Sequence, residues 1–507
     1  MDIPRSSGTL LHITSLPGQY GIGTLGKEAY EFVDLLKVGG LKYWQVLPFH
    51  PVSAHFDFSP YSPVSVFAGN PLLINLEMID KEDWMMDDIL SGLPKNSEKD
   101  FVDFREIVSF KMPFLRKAFE NFIQHAGEDV KNYFNYFCQD QKFWLDDYAL
   151  FISLSVHYDD FNWLKWDQDI STRKFKALKV WRARLHSEIE FQKFLQFVFL
   201  KQWFALKKYA NNKGIKIIGD LPFYVNLDGS DAWAHPGIFQ LDRKTLQPSH
   251  VSGIETDYIT KAAQKWGNPL YKWFEGKKLK ENTLKWWVNR FKNLLNFVDI
   301  IKLNHFIGFE SEWSIPAKEK VPEKGKWIKG PGIKFFTHLK DKINHLTLIA
   351  DDWKYRNPQS EKMRDDLNIP GTKVLQLAFD SDPGNTFLPH NFKHSNCILY
   401  TSSEDNNTAN GWFYHAEMDD EKRNHIMSHM GTNNWDEFHW HFIKLALGSI
   451  ARLTLLPVHD ILGLGEETRI NTPGKPRGNW IWKLIPGQLT PKILLKLKKK
   501  CQLYGRV

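Results

Sequence analysis

Eight short apolar runs punctuate the chain, each closing on a polar or Gly/Pro cluster: "GTLLHITSLPG", "YWQVLPFHPV", "IKIIGDLPFYV", "VDIIKLNHF", "LTLIADDW", "KVLQLAFDSD", "CILYTSSEDNN" and "RLTLLPVHDILG". Longer segments with apolar residues at helical spacing separate them. Strands that are apolar on both faces suit a parallel sheet covered by helices. Eight of them in this alternation predict a (β/α)8 barrel, whose working side chains gather at the carboxyl ends of the strands. The pattern alone leaves a doubly wound open sheet as the alternative.

The spacing of the runs is uneven. Roughly 150 residues separate the second and third runs, far more than one crossover helix requires. Residues 54–205 contain "DFREIVSFKMPFLRKAFENFIQHAG" and part of "EFQKFLQFVFLKQWFALKKYANNKG", both amphipathic at helical period, and are expected to form a mainly helical insertion. Residues 226–296, with "DAWAHPGIFQLD" and "QKWGNPLYKWFEG", are turn-rich and aromatic, as suits a loop that shapes a cleft at the carboxyl-terminal face. No fixed-period repeat or low-complexity linker divides the chain, so residues 1–507 read as one barrel with insertions.

If the barrel closes, its strand ends bring together Asp220, Asn304 with His305, Asp351 with Asp352, Glu404 with Asp405, and His459 with Asp460. Several carboxylates facing one cleft suit carbohydrate chemistry, in which one carboxyl donates a proton and another attacks or stabilises a cationic sugar carbon. Helix capping is the structural use of the same residues. His425 with His429, and His439 with His441, have spacings compatible with metal ligands but lack a neighbouring third ligand, so no metal site is assigned. The Gly-Lys pair in "GTLGKEAYEF" lacks phosphate-loop spacing.

The net charge of +7 sits largely in short runs such as "KILLKLKKK", which read as solvated faces, so nucleic-acid binding is not expected. The 20 tryptophans offer flat platforms for sugar rings or for bases, and composition does not choose between them. Three cysteines without close spacing fit a reducing compartment. The amino-terminal stretch lacks the basic head and apolar run of a signal peptide. No segment approaches the roughly 18 to 20 apolar residues of a membrane span. Cytoplasmic location without membrane contact is therefore expected.

The motifs "LLHITSLPGQYGIGTLG", "YWQVLPFHP", "SPYSPVSVFAGNP", "GDLPFYV", "WAHPGIFQLD", "KWGNPLY", "IPGTKVLQLAFD" and "NTPGKPRGNW" resemble, in the same order, those of the 4-α-glucanotransferase (amylomaltase, or disproportionating-enzyme) family. The resemblance implies a barrel without cofactor or metal that transfers α-1,4-glucan segments between maltooligosaccharides by a retaining, two-step mechanism. Carried over by position, the nucleophile falls on Asn304, the acid/base on Asp351 and the transition-state stabiliser on Asp405. Substrate contacts fall on Tyr61, Asp220, Trp266, Lys302, His305 and Glu404.

The chain departs from the family pattern at these positions. The family's strand-four sequence of arginine, an apolar residue, aspartate and then His-Phe-Arg is here Lys302, Leu303, Asn304, His305, Phe306 and Ile307. Asp351 stands for a glutamate, and Glu404-Asp405 for a His-Asp pair. A neutral amide forms no glycosyl ester, and a lysine does not reproduce the planar donor fork of an arginine. Two readings follow: a transferase with reduced or rearranged chemistry, in which Asp352 or Glu404 substitutes as nucleophile, or a catalytically inactive glucan-binding protein of the same fold.

Overall fold

The computed structural model describes residues 3–86, 90, 92–96, 98–256, 262–354 and 357–507. The eight apolar runs form strands β1 (Ser6–Leu10), β2 (Tyr43–Val46), β3 (Lys216–Leu221), β4 (Ile300–Leu303), β5 (Leu348–Ala350), β6 (Gly371–Val374), β7 (Cys397–Tyr400) and β8 (Leu453–Pro457). Each pairs in parallel with its neighbours in sequence, and β8 pairs with β1, so the sheet closes. The barrel is therefore correct and the open sheet is not. Closure follows from the strands' chemistry: with both faces apolar, a sheet edge or uncovered face would leave Val, Ile and Leu in water.

The barrel interior is not uniformly apolar. Alternate residues of a strand share a face, and Asp220 of β3 lies beside Lys302 of β4 in the sheet register. Gln45 of β2 donates to Asp220 Oδ1 at 3.1 Å and accepts from the Tyr400 hydroxyl of β7 at 2.7 Å. A polar layer thus crosses the barrel just beneath its carboxyl-terminal mouth.

Between β2 and β3 run the helices Phe104–His125, Glu128–Asp140, Lys142–Tyr158, Phe175–Arg184 and His186–Asn212. The last continues past residue 205 to the start of β3, so one helix serves both the helical excursion and the crossover. It also fixes the segment that follows β2. Gln196 accepts from Gly69 N at 2.7 Å and donates to Gly69 O at 2.9 Å, and Gln202 repeats the pattern on Asn75 at 2.7 and 3.0 Å. Two side-chain amides thereby pair with the backbone of an irregular segment that has no strand partner of its own. Gly69 is required there, since a Cβ would lie 1.9 Å from the Phe199 ring.

The excursion after β3 folds as a small antiparallel sheet. Its order is Lys326–Lys329, Ser311–Pro316, His250–Ile254, Gln264–Pro269, so half of its strands come from the loop after β4 rather than from residues 226–296. Helix Glu281–Phe297 then leads into β4. Among the described residues no helix is long and apolar enough to cross a membrane.

The pairing of helix His186–Asn212 with the backbone gives a test. Gln196→Leu would leave the buried Gly69 N–H and C=O without partners, at about 1–3 kcal/mol for each group. Denaturant titration should show unfolding free energy lowered by about 2 kcal/mol or more.

Candidate active site

Lys302 extends along the barrel axis from β4, and its ammonium meets three carboxylates: Asp220 Oδ2 at 3.0 Å, Glu404 Oε1 at 3.1 Å and Asp351 Oδ2 at 3.2 Å. It donates hydrogen bonds to Asp220 and Glu404 and holds Asp351 as an ion pair. All four side chains are essentially buried, none more than 3% exposed. Burial would depress the lysine's pKa, but the surrounding anions outweigh it and hold the ammonium charged well beyond its ordinary range.

The Tyr61 hydroxyl reaches the same cluster, 2.7 Å from Asp220 Oδ2 and 2.9 Å from Glu404 Oε1. Burial and the adjacent anions push its pKa well above the usual phenol value. For Asp220, burial raises the pKa, Lys302 opposes this, and Glu404 adds to the rise. Tyr61 therefore acts here as a donor anchored to carboxylates, with its ring beside Trp480 at 5.4 Å between centroids.

Above this layer opens a cleft of about 360 Å³ whose walls include Tyr61, Trp266, Asn304, His305, Asp351 and Asp405. The structure thus brings six of the nine sequence-assigned residues into one cleft and sets Asp220, Lys302 and Glu404 beneath it. Asn304 Nδ2 donates to Asp351 Oδ2 at 3.4 Å, while Thr372 Oγ1 donates to Asp351 Oδ1 at 3.1 Å. Trp266 lies edge-on to His305 at 4.9 Å between centroids, and Tyr224 completes that wall. Burial, and secondarily the Lys354 charge, lowers the His305 pKa to about 3, so the ring is neutral at pH 7.

Other strand-end residues do not converge as expected. Asp352 turns away from the cleft to pair with Arg364, accepts from Thr372 N at 3.0 Å, and lines a separate cavity. Asp460 lies under the loop after β7, accepting from Thr401 and Ser402 at 2.6 Å and from Ala409 N at 2.7 Å. His459 is buried beside it at 3.3 Å from Ser402 Oγ. Both stabilise the loop that carries Glu404 and Asp405. Among the described residues no group of three His, Cys, Asp or Glu side chains could hold a metal ion.

Lys354, Asn471 and Trp480 are among the cleft residues that escaped the sequence reading. Lys354, three residues beyond Asp351, forms an ion pair with Asp405 Oδ2. Asn471 donates to the other oxygen, Oδ1, at 2.6 Å. Burial raises the Asp405 pKa, but Lys354 and Asn471 outweigh it and leave the group below the usual carboxylate range. Asn471 and Trp480 both lie in the quoted motif "NTPGKPRGNW", which could have drawn attention to them. Lys354 carries no comparable spacing signal.

A closed parallel barrel with carboxylates and aromatic rings at its carboxyl-terminal mouth belongs to the class of barrel proteins that act on carbohydrates. The profile of the family described as 4-alpha-glucanotransferase matches residues 11–488. The chain is 40% identical over 503 residues to a Synechocystis sp. 4-alpha-glucanotransferase, covering 99% of this chain and 98% of that one. It is 38% identical over 512 residues to the Thermus thermophilus 4-alpha-glucanotransferase, covering all of both. The structure of an amylomaltase from Streptococcus agalactiae in complex with acarbose superposes with a TM-score of 0.93 at 33% identity, covering 99% of each chain. The chain belongs to the 4-alpha-glucanotransferase family, a family of amylomaltase-type transferases.

One buried acid near the cleft yields a pH test. Glu312 accepts from Trp273 Nε1 at 2.8 Å, and burial pushes its pKa up to about 8. The unfolded chain releases this proton near 4.5 while the native protein retains it, so Glu312 makes stability fall as pH rises from about 5 to about 8. Glu312→Gln retains the acceptor and should flatten part of the decline in unfolding midpoint across that window. An unchanged slope would mean that native Glu312 is already ionised.

Proposed function

We propose that the cleft of this 4-alpha-glucanotransferase binds α-1,4-glucans and maltooligosaccharides, and that its segment transfer is slowed by roughly 10⁴ to 10⁶ because Asn304 stands at the nucleophile position. The observation that carries this reading is the contact of the Asn304 amide with Asp351 at 3.4 Å. A retaining mechanism needs two carboxyl groups roughly 5 to 5.5 Å apart with the sugar between them, one to attack and one to donate the proton. Here one partner is an amide that attacks nothing, and it bonds directly to the other. Asp351, a methylene shorter than glutamate, adds its own loss, since displacement of a proton donor by about 1 Å costs on the order of 10²-fold.

Several features support glucan binding. Trp266, Tyr224 and Trp480 line the cleft, and Asp405 and Asn471 are polar partners of the kind sugar hydroxyls use. The related Streptococcus agalactiae amylomaltase was solved with acarbose. The three free cysteines fit a cytoplasmic protein.

A rearranged catalytic site is disfavoured by two placements. Asp352 is neutralised by Arg364 outside the cleft. One Glu404 oxygen is held by Lys302 and Tyr61, the residue is only 2% exposed, and it does not reach the cleft wall.

The test is incubation of concentrated protein with maltotriose and chromatography of the products. The Asn304→Asp/Asp351→Glu variant should redistribute maltotriose into glucose and longer chains at least about 100-fold faster than the native protein. Native turnover already within the usual range of about 1 to 10³ per second would overturn the reading.

A further inference from the structure

We infer that Lys354 is an internal competitor for the sugar-binding carboxylate Asp405, and that it sets the cleft's affinity for neutral glucans. The inference rests on the reading of this cleft as a glucan site and goes beyond it by naming the residue that limits binding. Lys354 and Asp405 come from different strand ends, β5 and β7, and meet across the cleft that both line. Asp405 has two oxygens, and both are occupied by the protein: Asn471 donates to Oδ1 at 2.6 Å, and the Lys354 ammonium takes Oδ2. Each oxygen can accept a second bond, but a sugar hydroxyl that is to donate to Asp405 must then share a carboxylate whose charge these two donors already draw on. Asn471 is the less movable, because it belongs to a segment tied down by Arg469, which donates to Asn471 O at 2.8 Å and to Asp405 O at 2.9 Å.

Lys354 is the movable partner. It stands on the turn after β5, its side chain is 21% exposed, and its ammonium lies 5.3 Å from the centre of the Trp353 ring. A lysine stem with four rotatable bonds can swing toward solvent, where the ammonium regains its hydration. Asp351 and Glu404 also act on its charge, but Lys302 already offsets both. Glucan binding and the Lys354 ion pair then compete at Asp405 Oδ2: the sugar hydroxyl meets a carboxylate the ammonium has already neutralised, and it binds more weakly for that reason.

Calorimetric titration with maltotriose tests this on four proteins: native, Lys354→Met, Asp405→Asn and the double variant. Methionine retains most of the stem's bulk and removes the charge. Lys354→Met should bind roughly tenfold more tightly than native, the scale of one charge-assisted hydrogen bond. Asp405→Asn should weaken binding about tenfold in the Met background but by less than about threefold in the native background, because only there is Asp405 already occupied. Lys354→Arg, which can still pair with Asp405, should bind like native, and Lys354→Gly should follow Met if the Met variant folds poorly. A merely structural lysine would not couple to Asp405 in this way. Equal binding by native and Lys354→Met overturns the inference and leaves the glucan reading standing. Weaker binding by Lys354→Met also overturns it, since Lys354 would then touch the sugar itself. Absence of binding in all the proteins overturns both readings.

Discussion

A single ammonium, that of Lys302, holds the working end of this barrel together. Three carboxylates and a tyrosine hydroxyl meet in a space closed to water, which without a cation would be prohibitive: like charges at such distances repel strongly, and each has lost its hydration. Lys302 meets all three carboxylates from one point, and the parallel strands place the acids around it. Register sets Asp220 beside it, while the turns after β5 and β7 bring Asp351 and Glu404 over it. Gln45 and Tyr400 extend the network to strands that contribute no charge. Whatever happens in the cleft above rests on this floor.

That floor lies beneath the positions to which the family resemblance assigns the chemistry. Replacing an aspartate by asparagine at position 304 removes one negative charge from the mouth, and the amide becomes a donor to Asp351. Lys354 adds a positive charge and neutralises Asp405. The two contacts act in the same direction: Asp351 and Asp405 are each met by a donor from the protein itself. The fold tolerates this because Asn304 and Lys354 lie beyond the ends of β4 and β5 and outside the strand pairing that closes the barrel.

The barrel was legible because its strands are short, apolar on both faces and bounded by polar ends, a pattern that reports burial directly. The placements of Asp352 and Asp460 were not, because successive residues at a strand end point in opposite directions and the sequence does not say which one faces inward. Asp351 faces the cleft while Asp352 meets Arg364, a partner twelve residues away on the following helix. Lys354 was hidden for a related reason. Its significance depends on Asp405, more than fifty residues later, and only closure of the barrel brings β5 and β7 ends within reach. The small sheet that carries Trp266 likewise draws strands from two separate loops, and local patterning does not reveal such pairing.

The central claim is that among the described residues no carboxylate of this cleft is positioned to attack a glycosidic carbon. It is tested most directly by intact-protein mass spectrometry after incubation with a 5-fluoro maltosyl fluoride, a donor that forms a glycosyl ester readily and loses it slowly. The account predicts no adduct on the native chain and an adduct on Asn304→Asp at position 304. An adduct on the native protein, mapped to the peptide containing Asp352 or Glu404, would contradict it.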